Sequence, residues 1–386
     1  MLKPDFRLAL LSDGIPPFVM GGMQKHSQLL VEFAAKSGIH VLLYHCVDKG
    51  TSVSDNDVLD VFSPEARTKI EVRTFEYEDT GWFLGHYVRA QDELSKRYFE
   101  RLITETPVDF IYTKGFVGSY LLRHRKELGF SCPIGVKFHG MNMFQAQANW
   151  KGELTKHLLR GPVKRIMHAA DYVFSYGGKI TEIIVDQGID RSKVVEIATG
   201  VSNDWISDKI QARGNERTRF LFVGRYDRVK GLPELYQAIE RIKSDAFVLD
   251  LVGPIPEENQ LQDDRVVYSG KLSGDELKEA YDRSDVLLCP SISEGMPNVI
   301  LEAMARGLAV IATDVGATAA LVTEENGVLL SHTDVGLIQQ AMKQAISWSG
   351  EELDTRKEAS QRRIRESFTW EQIVTRLIAF LKSSTK

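Results

Sequence analysis

Short apolar runs rich in branched residues alternate along the chain with longer stretches whose apolar positions recur every three or four residues. The runs at 6–11, 41–45, 110–113, 134–138, 172–175 and 193–198 predict strands. Between them the helical period appears at 24–36, 91–105 and 154–169. The pattern then restarts, with strands at 219–223, 247–252, 266–269, 285–289, 309–313 and 327–330. Helices are expected near 232–243, 274–283, 298–306, 333–347 and 351–366. Near-continuous apolar strands separated by helices imply parallel sheets covered on both faces. Right-handed crossovers turn them into two doubly wound α/β domains. The break between them falls near 200–217, where Gln211–Arg217 is polar and turn-rich. The expected division is 1–202, 203–367 and a terminal helix within 368–386, one-sided through Trp370, Ile373, Val374, Leu377 and Leu381. Gly161-Pro162 is expected to break 151–168 into two short helices.

The chain's 386 residues exceed one ordinary core, and 43% hydrophobic with 26% charged residues argues for a folded protein. No apolar run approaches the roughly 18 residues of a membrane span, and the opening residues do not read as a signal peptide. Cys46, Cys132 and Cys289 are far apart and fit reduced thiols in a cytoplasmic protein. Net charge is −5, yet residues 110–170 hold ten Lys/Arg against only Glu127 and Glu153. That local excess fits an anionic partner as well as it fits a solvated face. On 151–168 the basic residues could meet anionic lipid at a membrane surface. Nothing points to nucleic acid.

Open α/β sheets bind ligands beyond the carboxyl ends of their strands, and the candidate chemistry lies there. After the run at 285–289 comes Ser293-Glu294-Gly295-Met296-Pro297-Asn298-Val299, with Glu302 farther along the helix. Pro297 suits a first helical position, and the amides near Asn298 and Val299 would face an anion. Glu294 and Glu302 can then meet two parts of one extended ligand, although each also fits a solvated position. After 219–223 stands Gly224-Arg225, then Lys230-Gly231. Their cations would stabilise a departing diphosphate with no metal. Gly21-Gly22 precedes a helix without the G-x-G-x-x-G spacing of a dinucleotide fingerprint. His139 ends the run at 134–138.

In this order, and with Gly200-Val201 between the domains, these motifs resemble glycosyltransferase family 4, of the GT-B architecture. The resemblance runs along nearly the whole chain. It implies a retaining transferase that moves a hexose or N-acetylhexosamine from a nucleotide sugar, UDP favoured over GDP, to a glycan, lipid-linked or small acceptor. By the resemblance, Arg225 and Lys230 hold the diphosphate and Glu302 the ribose. Glu294 holds the sugar, and the amides after Gly295 reach phosphate or sugar. Gly22 lies near the diphosphate and His139 near the donor sugar. Retention proceeds at the front face of an oxocarbenium-like transition state, with no further cofactor. Two stretches depart from the family: Thr199 and Ser202 flank Gly200-Val201 where Asn and Asp are common, and Asp314–Ala320 lacks the usual Gly-Gly and Pro-Glu. An epimerase of the same architecture, a sugar phosphorylase and a non-catalytic nucleotide-sugar-binding subunit are the competing readings. The retention of Arg225, Lys230, Glu294 and Glu302 together favours catalysis.

Overall fold

The computed structural model describes residues 6–78, 86–127, 129–145, 150–210 and 217–384, with side chains omitted for 150–155. Most of the polar stretch between the domains, 211–216, and the side chains of Lys151 and Glu153 therefore lie outside the described residues. Seven strands form the first sheet: β1 (Arg7–Leu11), β2 (His40–Asp48), β3 (Ile70–Tyr77), β4 (Phe110–Lys114), β5 (Ile134–Lys137), β6 (Tyr172–Ser175) and β7 (Val194–Glu196). Their order is β3-β2-β1-β4-β5-β6-β7. Six form the second: β8 (Thr218–Val223), β9 (Phe247–Val252), β10 (Val266–Gly270), β11 (Val286–Cys289), β12 (Ala309–Thr313) and β13 (Gly327–Leu330). Their order is β10-β9-β8-β11-β12-β13. The pairings are parallel, as in Leu11 beside Thr113 and Leu287 beside Leu221. Strand β4 is buried at all five positions, as expected of a strand covered on both faces.

The order of each sheet reverses at its centre, between β1 and β4 and between β8 and β11. A crevice opens at the carboxyl ends of such strands. Five helices matter to it: α1 (Gly22–Lys36), α2 (Trp150–Ala169), α3 (Leu232–Glu240), α4 (Asn298–Ala305) and α5 (Trp370–Ser384). The apolar stripe of α5 is buried, with Trp370, Ile373, Val374, Leu377 and Leu381 at no measurable exposure. It covers the first sheet. Trp370 stacks on Phe33 of α1, and Phe380 lies edge-on to Phe110 and Tyr172. The chain reaches it through Gly200-Val201: Val201 donates to Phe368 O at 2.8 Å, and a Cβ on Gly200 would sit 2.9 Å from the Trp370 nitrogen.

Three expectations need correction. Helix α2 runs unbroken through Pro162. Val163, Ile166 and Met167 anchor its later turns in the core, while Leu158, whose carbonyl loses its partner to the proline, is on the exposed side. Pro297 is the cap before α4 and not its first helical residue; its ψ of 117° is extended. Strand β3 was not anticipated. It lies at the sheet edge, and its residues Ile-Glu-Val-Arg-Thr-Phe-Glu-Tyr mix polar with apolar positions along a half-exposed ribbon.

Candidate functional site

The loop after β8 is built to present Lys230. Asp227 accepts from the Val229 amide at 3.0 Å and closes a tight turn over Arg228–Lys230. Gly231 then takes φ +69°, against the Pro290 carbonyl, where a Cβ would lie 2.0 Å away. Ile292 donates to Val229 O at 2.8 Å, tying this loop to the one after β11. The result is an ion pair from Lys230 Nζ to Glu294 Oε1 at 2.7 Å, with the two side chains 27% and 14% exposed. Burial lowers the affinity of Lys230 for its proton, but the Glu294 carboxylate more than restores it, so the ammonium is held above its usual range.

Next to this pair lies a cavity of about 310 Å³ between the two domains, lined by Gly22, His139, Lys230, Glu294, Asn298 and Val299 among others. Gly295, Met296 and Pro297 complete its wall. In the first turn of α4 the Ile300 amide donates to Pro297 O at 3.1 Å, while Asn298 and Val299, whose amides precede any intrahelical acceptor, line this space. A second hollow of about 120 Å³ shares His26, Thr199 and Asn298 with it and adds Glu302 and Lys25. Burial raises the Glu302 carboxyl to about 7; the hydrogen bond from Tyr281 OH at 3.0 Å and the charge of Lys25 oppose the rise.

Of the residues singled out in the sequence, most converge on these two hollows. Arg225 does not: its side chain is 75% exposed, with Nε 3.6 Å from Asp227. Gly21 caps α1 in extended backbone, φ 160°, and Gly224 lies under Gly253, with its carbonyl 1.8 Å from where a Cβ on Gly253 would be. Gly295 has a steric role the sequence did not suggest. A Cβ there would stand 1.9 Å from the His139 carbonyl oxygen, so the glycine lets the loops of the two domains meet. Around that contact Gln145 Nε2 donates to Glu294 O at 3.0 Å, and the Thr199 amide donates to Met296 Sδ at 3.4 Å.

His139 sits on a buried basic cluster that sequence reading missed. Lys114 Nζ, at the end of β4, lies 2.8 Å from His26 Nδ1 and 3.1 Å from His139 Nε2. Tyr176 OH is 2.5 Å from His139 Nδ1, so both ring nitrogens of His139 are engaged. Lys137, ending β5, donates to Ile197 O at 2.6 Å. Burial, reinforced by the neighbouring cations, pushes His26 and His139 down; burial also lowers both lysines. Asp13 faces Lys114 and is pushed up to about 6 by burial. The available signal was two lysines closing apolar strands at the edge that faces the crevice. The described residues contain no cluster of three or more His, Cys, Asp or Glu able to hold a metal.

Residues 217–347 match the family model described as glycosyl transferases group 1. Over 186 residues the chain is 27% identical to a putative teichuronic acid biosynthesis glycosyltransferase, TuaC, of Bacillus subtilis, covering 46% of this chain and 48% of that one. The chain spans about half the length of curated relatives it matches. Solved structures extend the likeness to the whole fold. The sucrose-phosphate synthase of Thermosynechococcus elongatus superposes with a TM-score of 0.75 at 20% identity, over 98% of this chain and 99% of that one. HepE of Anabaena, in complex with UDP, gives 0.67 at 16% identity, over 98% and 100%.

Proposed function

We propose that this chain, whose residues 217–347 match the family model of group 1 glycosyl transferases, is a glycosyltransferase that moves a hexose or N-acetylhexosamine from a UDP- or GDP-sugar to a hydroxyl acceptor with retention of configuration. The reading rests above all on the Lys230–Glu294 pair beside the opening turn of α4, inside the crevice between the domains. The ammonium and the helix amides would take the charge of the leaving diphosphate. Glu294 would hold a sugar hydroxyl, and Glu302, one turn into α4, the ribose diol. UDP is the favoured base because HepE, of the same fold, is bound to UDP. The acceptor is a glycan or lipid-linked saccharide approaching from the first domain.

Glu302 carries a test of these assignments. A carboxylate accepts both ribose hydroxyls only when ionised, and its carboxyl titrates at about 7. UDP affinity is therefore expected to be about tenfold weaker at pH 6 than at pH 8. Calorimetry on wild type and Glu302→Gln checks this: the step should vanish in the variant, while Glu294→Ala keeps both the step and the affinity for UDP. A flat profile in wild type, or equal losses in the two variants, contradicts the division of roles.

Because protein cations neutralise the leaving group, transfer is expected to continue in excess EDTA, followed by nucleoside-diphosphate release. Full loss restored by Mg²⁺ contradicts this.

The basic face of α2 bears on localisation. Arg160 is engaged, with Nε donating to Met143 O at 2.7 Å, while Lys164 and Arg165 are exposed. We expect salt-sensitive cosedimentation with phosphatidylglycerol vesicles, weakened by Lys164→Glu with Arg165→Glu, as for a cytoplasmic protein held at the membrane face. No preference over phosphatidylcholine at low salt removes the membrane contact and leaves the donor site untouched.

A further inference from the structure

A third cavity between the domains, of about 400 Å³, lies at the ends of β12 and β13. The first domain contributes Phe144, Gln145, Lys179 and Ile183, and the second contributes Asp314 and the Ser331–Thr333 turn among others. Its size is within the roughly 300–1,000 Å³ of small-molecule sites. Asp314 belongs to the stretch where the sequence departs from the family pattern, and the donor site makes no use of it.

The chemistry of this cavity differs from that of the donor site. Lys179 Nζ pairs with Asp314 Oδ2 at 2.8 Å across the two domains, and Arg228 pairs with Glu234. Each cation already faces its own carboxylate, so the wall has little net charge to offer a phosphate. Asp314 Oδ1 is shielded and has no hydrogen-bond donor among the described residues. Ser331, His332 and Thr333 add further polar groups, while Phe144, Ile183 and Ile292 supply apolar surface. A wall that both donates and accepts, interleaved with apolar faces, fits hydroxyls and C–H faces together.

The cavity is also close to the reacting centre. The Ser293–Gly295 loop, which carries Glu294, packs against two residues that line the cavity. Gln145 clasps that loop, donating to Glu294 O and accepting from Ser293 Oγ at 3.1 Å. On the other side Gly316, at φ +58°, packs on the Glu294 and Gly295 carbonyls, where a Cβ would lie 2.4 and 2.3 Å from the oxygens.

We infer that this cavity is an acceptor subsite for a neutral pyranose unit, with Asp314 and Lys179 as its specificity-determining pair. The inference rests on the glycosyltransferase reading above. Saturation-transfer NMR on the full chain in the presence of UDP tests it, with maltose, lactose and glucose 6-phosphate as probes. At least one neutral disaccharide should be saturated, more strongly than glucose 6-phosphate. Asp314→Ala should weaken its binding at least tenfold. Ser331→Trp, which fills the cavity from its exposed rim, should do the same if Asp314→Ala disturbs docking of the domains. UDP saturation reports separately on the donor reading, since its absence in wild type overturns that reading first. Saturated UDP with no saccharide signal, a preference for the sugar phosphate, or disaccharide binding indifferent to both substitutions overturns the subsite. A pair that merely latches the domains would instead lower UDP and saccharide binding in parallel.

Discussion

Lys230→Ala is expected to lower turnover of the nucleotide sugar by roughly two to three orders of magnitude, as loss of a preorganised charge contact on a leaving group does. The ammonium is held charged by Glu294 at 2.7 Å and stands on a turn fixed by Asp227 and Gly231, so it needs no reorganisation to meet the diphosphate. The same change leaves a carboxylate only 14% exposed without its partner. Lys230→Met with Glu294→Gln, which removes both charges, separates that effect from catalysis. The double variant should be stable yet no faster than Lys230→Ala. Arg225→Ala, at a side chain 75% exposed, should cost less. Turnover within threefold of wild type in Lys230→Ala, measured by diphosphate release, would remove this lysine from the mechanism.

Gly295→Ala is expected to be nearly as damaging, by a different route. The added methyl would sit 1.9 Å from the His139 carbonyl oxygen, a backbone atom in the turn after β5, so the loops of the two domains must part. A displacement near 1 Å at a reacting centre costs about a hundredfold in rate. UDP binding, which draws chiefly on the second domain, should fall far less than kcat. Steady-state kinetics beside calorimetry give the two numbers. A variant with normal kcat would mean that close approach of these loops is not part of catalysis.

The two doubly wound domains were legible because their parallel strands, covered on both faces, write themselves as apolar runs. β4, β11 and β12 are buried throughout. β3 was not, because an edge strand half open to solvent carries Arg73, Glu71 and Glu76 among its apolar residues. Glu294, Lys230 and Glu302 were legible through spacing within single loops and helices. The Lys114–His26–His139 cluster was not, since its members come from β4, α1 and the turn after β5 and meet only when the sheet order β1-β4-β5 sets them side by side. Neither was the work of Gly295: a glycine before a helix suggests a ligand, and only the fold shows a carbonyl from the other domain in that space. Pro162 misled for a related reason. The local rule against proline within a helix holds for an isolated segment, but here Val163, Ile166 and Met167 are gripped by the core.

The most direct test of the nucleotide-sugar assignment is turnover of a donor panel by the purified chain: UDP-glucose, UDP-galactose, UDP-N-acetylglucosamine and GDP-mannose, each with and without a crude lipid-linked glycan extract. Free nucleoside diphosphate is the readout. The account predicts release from at least one donor, faster with UDP-sugars, accelerated by acceptor and abolished to within background by Lys230→Ala. No release from any donor, with or without the extract, by protein that is folded and binds UDP would contradict it and favour the non-catalytic subunit.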